Sequence, residues 1–448
     1  MKYSRIFALV LSALLMFSLL GCEKIDLSGG KNNDGNQTVE GSDSSDPNRL
    51  TVKTTVSGKE TFRPEGGASP KTDRILAQIE KVEKATGCTV DVELVSEETL
   101  SDRFLRACRS GNKYADVIQT DAMFLSRYYD EGYFLSLNAV GLEASVTGSL
   151  KKSDGTAYAL RADGWNNPPP TLSYLLFYNE KLLTDRLCET PLELYEAKAW
   201  NWVNFEKLCT QVTDGEVFAL AYPTASETDL VWATLHSAGL TYFSDDGKCV
   251  MDSQEGITGF TKLQSLLNSG VTYRLGSYEN SEADPTAKLA FTNSRTAFLV
   301  GNSSLLFETD DASVTSCLGE NLRIIGFPSI QRNTAGASYS VDDVFCGITN
   351  KANKELCKKV LPLLFESPEG FDPKEELTDD YFYHEKDAEL YFDLLASADT
   401  DTSLPMEDNR TIVEEYFLQM AKGQLSAKEY LSNLQSLFNA NSEIQKGN

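Results

Sequence analysis

The chain has 448 residues, 41% hydrophobic and 24% charged, the balance of a globular protein with material for a large core; at roughly 150 residues per domain it holds two or three units. Asp and Glu outnumber Lys and Arg 66 to 41, a formal charge of −25, and such a field repels phosphate backbones and excludes nucleic-acid binding. Two histidines, His236 and His384, argue against a His-rich metal site or a His-dependent catalytic triad.

Lys2 and Arg5 precede an apolar run from Ile6 to Leu20. A membrane span needs about 20 apolar residues, so the shorter run predicts a secretory signal peptide over residues 1–21. The run closes on Leu19-Leu20-Gly21-Cys22, which resembles the lipobox of bacterial lipoproteins. That resemblance implies a diacylglycerol thioether on Cys22, cleavage before it, and membrane attachment through the lipid alone. Residues 22–49 are rich in Ser, Gly, Asn and Asp and carry few large apolar side chains. Nothing there offsets the entropy of ordering, and a disordered tether is predicted. Eight further cysteines, at 88, 108, 188, 209, 249, 317, 346 and 357, include no Cys-x-x-Cys. Export permits disulfides among them; a chain of this length needs no staples, and buried free thiols are expected.

The folded part opens with Leu50-Thr-Val-Lys-Thr-Thr-Val56, whose alternation predicts a strand. A Gly- and Pro-containing loop follows over 57–70. From Thr72 the period lengthens: Ile75, Leu76, Ile79 and Val82 share one helical face, with Gly87 to close it. Val90, Val92 and Leu94 alternate as a second strand, and Glu98–Ser110 reads as a helix with Leu100, Phe104, Leu105 and Cys108 inward. Ala115–Ile118 is a third strand, followed by Thr120 and Asp121. Strand, helix, strand, helix, strand implies an α/β layer with a largely parallel sheet. Ligands of such sheets sit beyond the carboxyl ends of strands, which places loop 57–70 and residues 119–121 near any site.

A series of motifs then follows in order. Gly111-Asn-Lys-Tyr-Ala-Asp116-Val-Ile118, the turn Tyr129–Leu137, Asp154-Gly-Thr-Ala-Tyr-Ala-Leu160, Leu176-Phe-Tyr-Asn-Glu-Lys-Leu-Leu183, the helix start Trp202–Leu208, Gly247–Gly256 with the helix Ile257–Leu267, Phe291–Leu299, and the terminal helix Gly423–Phe438 together resemble the extracellular solute-binding proteins that feed ABC importers, a family that includes maltose-binding protein. Two positions depart from its pattern: Arg161 stands where a proline is usual after Tyr-Ala-Leu, and Ser294 where a glycine is usual. The resemblance covers about 400 residues. It implies an α/β, two-lobe periplasmic-binding-protein-like fold (type II), with the ligand cleft between lobes and a hinge of crossing strands. The lobes are expected at 50–165 plus 345–375 and at 174–340 plus 376–448, with crossings at 161–173, which contains Pro168-Pro169-Pro170, and at 340–344.

A sugar receptor needs carboxylates and amides for hydroxyls and flat aromatics for C–H faces. Residues of these types at strand ends and crossings are the ligand candidates: Arg63 and Glu65 after the first strand; Asp121 at the end of the third; Asp163 and Trp165 in the first crossing; Tyr222 after the strand Val217–Ala221, with Glu227 and Asp229 beyond it; Ser303 after the strand Ala297–Val300; and Asp343 in the second crossing. Ser303 falls where the family often places a stacking Trp, so that platform is missing. Trp200 and Trp202 are expected to pack a helix start, and the Asp245-Asp246-Gly247 turn lacks the spaced ligands of a calcium loop. No phosphate-cradling Gly-Lys-Ser/Thr sequence is present, and no cofactor is expected.

The reading that follows is a lipid-anchored, monomeric receptor on the extracellular face of a bacterial membrane, capturing a sugar or oligosaccharide and delivering it to an ABC permease. The alternatives are a receptor of the same fold for a peptide or polyamine, a surface lipoprotein without transport, and a glycosidase working through two carboxylates.

Overall fold

The computed structural model describes residues 46–55, 70–143, 148–152, 155–161, 169–222, 227–238, 250–273, 285–308, 310–330, 343–367, 369–398 and 410–446. The signal peptide, Cys22, most of the tether, the Asp245-Asp246-Gly247 turn and Cys249 lie outside them.

Strand β1 (Arg49–Thr54) alternates as its sequence predicts, with Leu50, Val52 and Thr54 buried. Helix α1 (Pro70–Thr86) starts two residues before Thr72, with proline in the first turn, where its missing N–H has no intrahelical partner to lose. Its Ile75, Ile79 and Val82 are buried. After β2 (Thr89–Leu94), helix α2 (Glu97–Ser110) is capped by the Ser96 side chain, which accepts from the Thr99 N–H, and ends at Gly111 with φ 74°. Leu100 and Phe104 are buried as expected, whereas Leu105 and Cys108 are only partly covered. Strand β3 (Val117–Asp121) runs past its predicted end and begins two residues later. Asp116 accounts for the late start: its fully buried carboxylate accepts from the Thr51 N–H and hydroxyl, the Asn353 N–H and Lys113 Nζ, each at 2.8–2.9 Å.

Helix α3 (Ala122–Asp130) leads to the short hairpin β4 (Ser149–Lys151) and β5 (Ala157–Leu160). The chain then passes to β6 (Leu175–Asn179), buried along its whole length, and the short helices α4 (Glu180–Asp185) and α5 (Pro191–Glu196). Helix α6 (Trp202–Val212) follows, with Trp200 and Trp202 fully buried at its start; Trp200 Nε1 donates to the Gly326 carbonyl at 2.9 Å. Next come β7 (Phe218–Ala221), α7 (Glu227–Ser237), α8 (Gln254–Asn268), α9 (Pro285–Thr292), β8 (Thr296–Gly301), α10 (Val314–Leu318) and β9 (Leu322–Ile325). The last part is β10 (Val344–Ile348), α11 (Lys354–Leu364), α12 (Pro373–Tyr381), α13 (Glu385–Ser397), α14 (Arg410–Ala421) and α15 (Ala427–Lys446).

Among the described residues the named strands form two sheets: six strands in the order β2-β1-β3-β10-β5-β4, and four in the order β7-β8-β6-β9. The first is mixed rather than largely parallel. Strands β1, β2 and β3 are parallel, but β10 inserts antiparallel between β3 and β5, and β4 pairs antiparallel with β5. In the second, β7 and β8 are parallel and β6 runs antiparallel to both β8 and β9. Inserting β10 needs a residue without a side chain at position 347. A Cβ on Gly347 would lie 2.7 Å from Leu125 Cδ2 and 3.0 Å from Phe134 Cδ1.

Two cores result. One packs Leu50, Val52 and Val90 of the first sheet against α1 and α11. The larger runs from Phe104 and Ile118 through Leu172 of the first crossing and Tyr174 just after it to Phe177 and Phe298 of the second sheet. Helix α13 is fixed to β9 by Arg323, which donates to both oxygens of Asp387 at 2.9 and 3.1 Å and to Glu180 at 2.6 Å. The seven described cysteines are free thiols, and Cys88, Cys188, Cys209, Cys346 and Cys357 are buried.

Candidate functional site

The parallel strands β1 and β3 end side by side at Thr54 and Asp121. Three polar side chains link up there. The Thr55 hydroxyl donates to Thr120 Oγ1 at 3.1 Å, and the Thr120 hydroxyl donates to Asp121 Oδ2 at 3.2 Å. Asp121 Oδ1 accepts from the Phe124 N–H at 2.7 Å and so caps α3. Burial pushes the Asp121 carboxyl up, while the Phe124 N–H and the Thr120 hydroxyl pull it down. The carboxylate keeps further lone pairs, is only partly covered, and stands where an α/β sheet presents groups to a ligand.

At the four-stranded sheet, β7 and β8 end at Ala221 and Gly301. Tyr222 follows β7 and is buried. Glu227 and Asp229 lie in the first turn of α7, with side chains outside the described set; Arg63, Glu65, Asp163 and Trp165 lie wholly outside it.

Ser303 and Asp343 serve the crossings. Ser303 is fully buried; its Oγ accepts from the Leu172 N–H at 2.9 Å and donates to the Pro170 carbonyl at 3.3 Å, and its own N–H donates to the Leu172 carbonyl. Tyr391 of α13 donates to the same Pro170 carbonyl. Asp343, buried at the start of β10, accepts from Arg161 Nη1 with Oδ1 and from the Thr171 N–H with Oδ2, both at 3.0 Å. Arg161 Nη1 also donates to the Val344 carbonyl at 3.2 Å. The Asp343 carbonyl accepts from the Ala122 N–H at 2.8 Å, next to Asp121, which pairs with Val344 across β3 and β10.

Asp343 and Ser303 therefore hold neighbouring residues of the first crossing, Thr171 and Leu172, while Asp121 adjoins Asp343 through the backbone alone, at Ala122 and Val344. Ser303 and both oxygens of Asp343 are engaged by the protein itself. The sequence reading placed Thr120 near the site and did not assign Thr55, Thr171 or Tyr391 to it. It noted Arg161 as a departure from a proline at the start of the first crossing, and that departure was the available signal: an arginine in an apolar context needs a buried acid. Among the described residues no group of His, Cys, Asp and Glu could hold a metal ion, and no helix is long and apolar enough to cross a membrane.

A fold of two α/β sheets joined by crossing segments is that of solute receptors, and sequence comparison agrees. The family described as "Bacterial extracellular solute-binding protein" matches residues 77–369, and the chain belongs to that family. No curated protein matches it by sequence. Solved structures share its fold at low identity. The cyclic α-maltosyl-1,6-maltose binding protein from Arthrobacter globiformis is 12% identical with a TM-score of 0.61, over 88% of this chain and 98% of that one. The bacterial solute receptor AcbH, described with a preference for β-D-galactopyranose, is 13% identical with a TM-score of 0.62, over 88% and 97%. The ABC substrate-binding protein Lmo0181 from Listeria monocytogenes, in complex with cycloalternan, is 13% identical with a TM-score of 0.53, over 88% and 99%.

Proposed function

We propose that this protein captures a sugar or oligosaccharide between two lobes and presents it to the membrane permease of an ABC importer. The supporting observation is the fold shared over 88% of the chain with receptors described as carrying cycloalternan, cyclic maltosyl-maltose or galactopyranose. In this reading the lobes are residues 50–165 plus 345–375 and residues 174–340 plus 376–448. The chain acts as a monomer and a binder, not a catalyst. Lipid on Cys22 holds it at the extracellular face of the cell membrane.

Asp121 accepts solute hydroxyls, flanked by Arg63, Glu65, Asp163, Trp165, Tyr222, Glu227 and Asp229. Solute bound to both lobes biases an open–closed equilibrium by its differential contacts. A thermal-shift screen over a carbohydrate panel tests the reading, since a true ligand at 100 times its Kd adds about 2.7 kcal/mol of stability. A panel with no shift, set against a shift with peptides or polyamines, would move the ligand class. Release of shorter sugars on incubation with oligosaccharides would make the protein a glycosidase.

A further inference from the structure

After β10 the chain passes once more from the first sheet to the second. Helix α11 packs on the first sheet together with α1, and α13 is held to β9 of the second through Arg323 and Asp387. Between them lie Phe371 and α12. Helix α12 sits with the second sheet. Its Leu377 packs on the larger core, Lys374 Nζ stands 5.2 Å from the centre of the Phe392 ring on α13, and the Tyr381 ring meets Phe307, beyond β8, edge-on at 4.9 Å. From the other side Arg74 of α1 reaches across. Its Nη2 donates to Glu376 Oε1 at 3.0 Å and to Oε2 at 3.3 Å, and its guanidinium lies 3.9 Å from the centre of the Phe371 ring. The two charged side chains are 22% and 25% exposed.

The pairing is incomplete. An arginine matches a carboxylate best when two of its nitrogens take one oxygen each. Here one nitrogen serves both oxygens, and Nε, which is buried, has no hydrogen-bond partner among the described residues. A buried N–H left unpaired is unfavourable. A small slide of α12 along α1 gives Nε and Nη2 one oxygen each.

We propose that Arg74 is a clasp between the lobes, half-made in this arrangement and completed when they close, so that it adds to solute affinity from outside the cleft. The closure rests on the receptor reading above; the contact does not. Each partner is fixed to its own sheet, Arg74 through α1 and Glu376 through α12, so a movement of one sheet against the other changes their register. A contact that improves in the closed arrangement shifts the open–closed equilibrium as a ligand does. Arg74 is thus a positioning residue for binding, and α12 moves as one piece with the second lobe, its first residues 373–375 included.

Two variants test the clasp without emptying the contact. Glu376→Gln removes the acid's charge; Arg74→Lys keeps the cation and loses the fork and the ring contact. In ligand-free protein each should exchange the α12 amides on the order of tenfold faster, with α11 and α13 unchanged. The radius of gyration from X-ray scattering should also grow, because open and closed arrangements interconvert without solute. With maltose, β-D-galactopyranose and cycloalternan as probes, calorimetry should show the Kd of whichever binds raised about tenfold at unchanged stoichiometry in either variant. The double variant should lose no more, because both side chains act through one contact; damaged packing would instead lower the stoichiometry. In wild type, the Arg74 Nε–H resonance should become protected from solvent exchange when sugar binds. Wild-type α12 exchange or a wild-type radius in both variants overturns the clasp, as does wild-type affinity for a confirmed sugar or an Nε–H that stays unprotected with sugar bound. If none of the three sugars binds, the receptor reading loses support, and the ligand-free exchange and radius still decide the clasp.

Discussion

A carboxylate at a strand end has two uses, and Asp121 has both open to it. One oxygen caps α3 and the other sits beside a threonine hydroxyl. Alanine at 121 should therefore cost about 1 kcal/mol of stability through the lost cap, in addition to weakening sugar binding. Serine keeps the cap. If Asp121 meets solute, Asp121→Ser should unfold in urea as wild type does, while calorimetry shows Kd raised roughly ten- to a hundredfold. Wild-type affinity in that variant would leave Asp121 as a cap alone. Asp343 makes a second residue-scale prediction. Its folded-state carboxyl lies above its ordinary 3.8, at about 6, so the folded protein takes up the proton first as pH falls. Its contribution to stability is then greatest below the ordinary value and declines as pH rises through 6, by up to about 3 kcal/mol. Urea unfolding of wild type and Asp343→Asn at several pH values between 4 and 8 should give a difference that follows this slope; a flat difference refutes it.

At the scale of elements, what could be read in the sequence was whatever is local. The alternation of β1 and the inward faces of α1 and α2 are set by residues close in sequence, and Leu50, Val52, Ile75, Ile79, Val82, Leu100 and Phe104 are buried where their periods put them, whereas in β2 only Val90 is buried and Leu94 is 58% exposed. The start of β3 was misplaced because Asp116 is held by Thr51 and Asn353, partners far along the chain. The parallel-sheet expectation failed for a similar reason: nothing near residues 344–348 announces that this strand will slot antiparallel between β3 and β5. Ser303 and Asp343 were named as ligand groups from their strand-end positions, and the structure shows what position alone could not, their bonds to Leu172, Pro170, Arg161 and Thr171, because a polar residue at a strand end has the same sequence signature whether it meets solute or backbone. Gly347 shows how close the slot is. Gly347→Ala should cost about 1–3 kcal/mol by overpacking against Leu125 and Phe134, read as a lower urea midpoint with unchanged slope. Arg323→Ala leaves Asp387 buried without its cation and should cost about 3–5 kcal/mol. The expected sign is loss of α13 protection in amide exchange before the rest of the fold.

On the scale of the whole molecule, closure is the property to measure. Scattering with a confirmed sugar should show compaction; binding without any change in radius would count against a hinge. The order of motifs along the chain carried the family and the fold, because it spans both sheets. It carried the solute poorly, because a binding surface depends on which side chains meet across a gap, and residues spaced far apart in sequence do not state that.

Strand β1 also has a mechanical meaning. It is the first strand of the described fold, yet it is not an edge strand: it pairs with β2 over six positions, from Arg49 opposite Thr89 to Thr54 opposite Leu94, and with β3 on its other side. Tension applied through the chain preceding Asp46 would pull along β1, loading these rungs in shear rather than opening them one by one. Resistance to such a pull is governed by the unfolding rate rather than by equilibrium stability. A pull on that end would therefore be borne by a strand gripped from both sides before it reached the rest of the sheet.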